Sequence, residues 1–194
     1  MRALVFPAIL VLVMAVIGHV LTLHLVPSVI MGTAMNRLAA QGAALHSFRL
    51  APRTTPQTQL VVRPSPDLAY SICAYHLRGP QPLRIRAAAY DDYGSISFFD
   101  ARTNNFATIR IEETAPDSSG PDILLRGPAG GEPDGLFDGH DLKSPTPRGL
   151  ILIRRLAPTQ QAYDRVKAIA SADVCALSSS AGTISEQPSL SDGD

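Results

Sequence analysis

The chain contains no tryptophan, only two cysteines in 194 residues, and no net charge, its 17 basic residues matching 17 acidic ones. Each shortage excludes something. Balanced charge leaves no overall field to attract nucleic acid or an anionic surface. Two cysteines, Cys73 and Cys175, leave room for one disulfide at most. No internal repeat is visible. There is no GxGxxG, Walker or HExxH pattern either, so the phosphate-binding and zinc chemistries those spacings support have no footing, and no cofactor or metal is expected.

What the chain has in quantity is apolar sequence at its start. ALVFPAILVLVMAVIGHVLTLHLV, from Ala3 to Val26, carries no charged side chain. About 20 apolar residues cross a hydrocarbon core of ~30 Å, so this run suffices for a single span. Pro7 falls in its first turns, where proline is tolerated, and Pro27 marks a kink or stop. The rival reading is a cleaved signal peptide, with Gly32-Thr33-Ala34 as the small-residue site. Its apolar stretch would be about 7–15 residues, shorter than this one, so an uncleaved anchor is expected. Flanking charge does not orient the span, because Arg2 precedes it while Arg37, Arg49 and Arg53 follow. His19 and His24 lie about 140° apart around a helix, so they do not converge on a proton or metal path.

Beyond the span the reading is 31–58 as a short helix and linker, 59–176 as a β domain, and 177–194 as a Ser-, Gly- and Asp-rich disordered tail. MGTAMNRLAAQG is helical up to Gly42, and 47–58 reads as the linker. Short apolar runs bounded by turn residues follow: 60–62, 68–77, 83–88, 95–99, 106–111, 122–125 and 149–156. LAYSICAYHL is apolar on both faces, as a central strand is, and LRIRAA alternates Leu83, Ile85 and Ala87 against Arg84 and Arg86. After Pro158 the period changes. Tyr163, Val166, Ile169, Ala170 and Val174 fall on one stripe of an amphipathic helix. The fold class is mainly β, an antiparallel sandwich or jelly-roll-like domain with one C-terminal helix, preceded by a transmembrane helix.

Four segments in order carry a family resemblance: PSPDLAYSICAY (64–75), the GP and basic alternating strand at 79–86, FFDARTNNFA (98–107), and SPTPRGLILIRRL (144–156). Together they resemble the bacterial domain-of-unknown-function 1254 family in its short single-span form, from about Met31 to Cys175. The resemblance implies a β-sandwich-like domain and membrane association. It also implies a companion of the unknown-function 1214 type, encoded beside it or fused to it. It brings no established catalytic residues.

Two clusters invite a mechanism. YDDYGSISFFDARTNNF places Tyr90, Asp91, Asp92, Tyr93, Asp100, Asn104 and Asn105 within one strand–turn–strand unit. These are weak pocket candidates, since Asp and Asn are also what turns between strands require. A glycosidase-like pair would need two carboxyls about 5–10 Å apart across a cleft, a geometry the sequence neither supplies nor excludes. DGLFDGHD (134–141) is acidic but lacks the oxygen spacing and glutamate of a calcium loop, and it has no second histidine or cysteine for zinc. It reads as a solvated loop. His76 reads as a rim residue at a strand end, and Ser178–Ser180 lack a nucleophile elbow. Cys73 on the central strand and Cys175 at the end of the helix are a disulfide candidate if the domain is exported, and two buried free thiols if it is cytosolic.

The expected function is a single-pass bacterial inner-membrane protein with a periplasmic domain. That domain is expected to work by binding, its partner a companion protein, an envelope component or a small ligand and not nucleic acid; a structural anchor with no ligand is a third reading. The alternative is an envelope enzyme acting on carbohydrate or lipid.

Overall fold

The computed structural model describes residues 2–40, 42–55, 64–111, 120–132 and 137–178. The strand expected at 60–62, Asp134, and the tail beyond 178 lie outside them. α1 (Arg2–Ala40) is one helix of 39 residues. It includes a segment, Val5–Ala40, long and apolar enough to cross a membrane, a test that a signal sequence near an N-terminus also passes. Large apolar side chains stay exposed along it as far as Val29 and Ile30.

Pro27 does not stop the helix, and no break separates the span from the helix expected at 31. The sequence after the proline gives the reason. Met31 is buried, and Gly32, Ala34, Met35 and Leu38 are half-buried on the same helical face. Packing on this face offsets the one backbone hydrogen bond a proline forfeits. Gly42, at φ 78°, then closes the helix, its N–H donating to the Ala39 carbonyl at 2.9 Å.

The domain is two packed sheets. The first contains β1 (Arg49–Leu50), β2 (Leu68–His76), β4 (Gly94–Asp100), β5 (Asn105–Ile111) and β8 (Arg148–Leu156) in the order β1-β2-β8-β4-β5, every pair antiparallel. The second contains β3 (Leu83–Arg86), β6 (Asp122–Arg126), β7 (His140–Lys143) and β9 (Val174–Leu177), ordered β7-β6-β3-β9. Strand period fixes which face is inward. Cys73, Tyr75, Ile96, Phe98, Ile151 and Ile153 of the first sheet form one core with Leu83, Ile85, Ile123, Leu125 and Cys175 of the second. α2 (Gln160–Ala170) adds Ala162 and Val166 to it, and Thr159 caps its start by accepting from the Ala162 N–H at 3.1 Å.

Three expectations are corrected. Val174 and Cys175 belong to β9, not to the end of the helix. α2 stops at Ala170, a turn follows, and the chain pairs with β3 so that Cys175 lies opposite Ile85. Val174 fell on the helical stripe only because four residues after Ala170 satisfies the period by chance. Residues 140–143 form a strand rather than a loop, and it runs parallel to β6, so the second sheet is mixed. Finally, the segment read as a linker from residue 47 contains β1, whose pairing continues through the Ala51 N–H to the Tyr70 carbonyl at 2.8 Å.

Two links join the layers. Cys73 and Cys175 are bridged, with Cα atoms 6.7 Å apart, across 102 residues of sequence. Arg155, 1% exposed and on the inward face of β8, meets Asp173, whose carboxylate is fully buried. Its two terminal nitrogens donate to the two carboxylate oxygens at 2.8 and 2.7 Å. Nη2 also donates to the Ala88 carbonyl at 3.0 Å, while the Ala88 N–H donates back to Asp173 Oδ1 at 3.0 Å.

Candidate functional site

The strand–turn–strand cluster is divided between the two ends of β4. At ~3.3 Å per residue, seven residues separate those ends by about 20 Å, so the sequence-predicted residues do not form one site. At the far end, Asp100 is buried and its carboxylate is consumed by its own turn. Oδ1 accepts from the Arg102 and Asn104 N–H groups at 2.7 and 2.9 Å, and Oδ2 accepts from the Asn104 side-chain amide at 2.9 Å. The left-handed residue of the turn is Thr103, at φ 67°, not either asparagine. Once Asp100 holds three donors, the threonine is forced into the conformation that closes the loop. The Asn105 amide exchanges hydrogen bonds with the Thr108 hydroxyl at 3.0 and 3.3 Å. Asp100, Asn104 and Asn105 thus make their hydrogen bonds within this turn and the start of β5.

The near end is different. Tyr90, Asp91, Asp92, Tyr93 and Gly94, with Arg110 and Ile111 of β5, line an open recess of about 350 Å³. The Tyr90 ring is buried and its hydroxyl donates to the Leu156 carbonyl. Burial, helped by the Asp92 charge, pushes this phenol above its ordinary value. Tyr93 is 45% exposed, and its hydroxyl donates to Ser95 Oγ at 3.1 Å. Asp91 and Asp92 are exposed, and Arg110 stands on the adjoining strand, also exposed. Gly94 lets β5 come close, since a Cβ there would lie 3.0 Å from Ile111 Cβ. The recess therefore presents two carboxylates, a guanidinium and a tyrosine edge to water. That set suits a polar or hydroxylated ligand held by hydrogen bonds.

Other candidates are placed elsewhere. Asp141 is held by Arg126 through a two-pronged pair at 2.9 to 3.2 Å, which makes it a strut of the second sheet. Among the described residues no group of three or more His, Cys, Asp or Glu side chains could hold a metal ion. His76 is at a strand end as expected, and its N–H donates to His46 Nε2 at 3.1 Å. Sequence reading missed the Arg155–Asp173 pair. Its signal was present: Arg155 shares strand parity with Ile151 and Ile153, and a charge in core register requires a buried partner.

The family model for the protein of unknown function DUF1254 matches residues 45–176, well over half of the chain. The chain belongs to the DUF1254 family. The match begins at Leu45, so α1 lies outside it. No curated protein matches. Among solved structures, the VPA0106 protein of Vibrio parahaemolyticus is similar at a TM-score of 0.55 and 9% identity, over 78% of this chain and 35% of that one. An uncharacterised protein of Burkholderia cenocepacia aligns at a TM-score of 0.46 and 14% identity, over 63% and 34% of the two chains. At such identity the first likeness shows the fold alone. This DUF1254 chain spans about a third of the length of either solved protein.

Proposed function

We propose that this DUF1254 protein is a membrane-anchored binding module of the bacterial envelope, with α1 crossing the inner membrane and the sandwich in the periplasm. The observation that carries the reading is the continuity of α1. One helix passes without a break from an exposed apolar segment to a face packed against the domain, so the domain is held at a fixed place by its anchor. The Cys73–Cys175 bridge supports the periplasmic side, because disulfides persist in oxidising compartments.

The partner is a companion protein, of the 1214 type that the family resemblance implies. Two features support this. The outward face of the first sheet carries half-buried Tyr70, Ile72, Phe99, Leu150 and Leu152. Nearly two-thirds of the similar Vibrio chain also lies outside the part that this fold matches. A photo-crosslinker at Leu152, compared with one at Arg84 on the outer face of the second sheet, tests the reading in native membranes. One specific adduct from Leu152 alone is expected, and equal yields from both positions would refute it. The second reading, an envelope enzyme acting on carbohydrate or lipid, draws on the recess between Tyr90 and Arg110 and is tested by its carboxylates, below.

A further inference from the structure

A second cavity, of about 280 Å³, opens where the last turns of α1 meet the sandwich. Gly32, Met35 and Asn36 of the helix form one wall, and Ala74, His76 and Arg148 form the other. Among the described residues no carboxylate lines it. The surroundings are cationic as well. Arg78 Nε donates to His76 Nε2 at 3.2 Å. The Arg49 guanidinium lies against Gly42, 3.8 Å from where a Cβ would stand. Among the described residues the ion pairs involve Arg84, Arg86, Arg126, Lys143 and Arg155, and none involves Arg49, Arg78 or Arg148. Burial holds the His76 imidazole below its ordinary value, and the charges that lower it further are Arg78, Arg148 and His46. The local field is thus positive and uncompensated, although the whole chain is neutral.

Position supplies the second half of the argument. Exposed large apolar side chains on α1 end at Val29 and Ile30. At 1.5 Å per residue, Gly32 lies ~3 Å beyond Ile30 and Asn36 ~9 Å beyond it. The headgroup layer on each side of the hydrocarbon core is ~5–7 Å thick. A helix that leaves the hydrocarbon at Ile30 places this cavity at headgroup depth. Guanidinium forks and a histidine there match the charge and the acceptor oxygens of a phosphodiester.

We infer that the cavity between α1 and the His76–Arg148 end of the sandwich binds the phosphate of an anionic lipid headgroup, and so fixes the domain against the membrane surface. The inference rests on α1 spanning a bilayer, and the two fail separately. Release of the chain from membranes by alkaline carbonate would remove the span. Retention with indifference to lipid charge would remove the headgroup site alone.

The test uses the purified full-length chain in a neutral detergent, titrated with short-chain phosphatidylglycerol, with short-chain phosphatidylcholine, and with inorganic phosphate, binding being read from the melting temperature. Phosphatidylglycerol is expected to raise the melting temperature saturably, and the other two are not. Arg148→Gln is expected to bind about fivefold more weakly, the factor that one basic group near an anionic surface contributes. His76→Arg is expected to bind more tightly, and Lys167→Gln on α2 is expected to match the parent. If Arg148→Gln does not fold, His76→Arg decides the matter, since it adds charge rather than removing it. Equal stabilisation by phosphatidylcholine overturns the proposal, as does parental affinity in both cavity variants. Equal stabilisation by inorganic phosphate overturns the lipid as the source and leaves a soluble anion in its place.

Discussion

Removing the Asp173 carboxylate tests how the two sheets are held together. Asp173 accepts two hydrogen bonds from Arg155 and one from the Ala88 N–H, and both charged side chains are shut away from water. Asp173→Ala leaves a guanidinium buried without its counter-charge, a change that costs about 3–5 kcal/mol. Set against a domain stability of about 5–15 kcal/mol, that is about a fifth or more of the total. The melting temperature should fall by roughly 10–20 °C for a domain of this size. Asp122→Ala is the control. It breaks the pairs with Arg84 and Arg86, whose side chains are 44% and 37% exposed, and exposed pairs contribute about 0–1 kcal/mol. The double change Arg155→Met with Asp173→Leu should recover part of the loss, short of about 1 kcal/mol each for the Ala88 N–H and the Ala88 carbonyl, which lose Asp173 and Arg155 as partners. Urea unfolding of the detergent-solubilised chain, followed by the circular dichroism of its sheets, measures all four proteins. A loss below about 1 kcal/mol for Asp173→Ala, or one no larger than that of Asp122→Ala, would refute the reasoning.

Alkylation of the denatured protein should label Cys73 and Cys175 only after reduction, and reduction should lower stability by about 2–5 kcal/mol. Labelling without reductant would remove both the bridge and the support it gives to a periplasmic domain. Burial first, and the Asp100 charge in the same direction, push Tyr75 up to about 12 against the opposing Ser144 hydrogen bond. The unfolded phenol ionises near ~10, so this contribution is complete below that pH and is lost as pH rises through about 12. Tyr75→Phe should flatten that alkaline loss in a dichroism titration, and an unchanged limb would show that another group causes it. Asp91→Asn with Asp92→Asn should leave companion binding intact and change stability by no more than of order 1 kcal/mol. A thousandfold loss of a measured activity, with normal melting, would instead establish the enzymatic reading. Intact-mass analysis of membrane-extracted protein should show residues 1–34 present, and a chain starting near Met35 would replace the anchor with a signal peptide.

Strands were legible where a face is buried, because burial writes a period into the sequence. β3 shows it cleanly in Leu83 and Ile85 against Arg84 and Arg86, and β8 shows it through Ile151 and Ile153. Elements that fail to bury a face leave no such record. β7 reads His-Asp-Leu-Lys, four residues with none fully buried, held as much by Asp141 on Arg126 as by Leu142 on the core. β1 has two residues and exists because Ile72 and Ser71 offer it a ladder. β9 is read by its neighbours rather than by itself: of its four residues only Cys175 is buried. Tertiary pairing makes these strands, and local composition carries no trace of it.

The candidate site divides along the same line. Turn chemistry at Asp100 was readable because three donors in four residues leave a carboxylate no other role. The recess at Tyr90–Tyr93 needed Arg110 and Ile111, which sequence separates from it and β5 pairing restores. The cationic end at His76 and Arg148 was illegible for a deeper reason. A chain with 17 charges of each sign looks featureless when they are only counted. Folding spends carboxylates unevenly. Asp122 serves Arg84 and Arg86, Asp141 serves Arg126, and Asp173 serves Arg155, all in the second sheet or at its junction with β8. Among the described residues Arg49, Arg78 and Arg148 receive no carboxylate in exchange, and they gather where α1 reaches the domain. A neutral composition thereby becomes a polarised surface, with its positive side at the C-terminal end of α1.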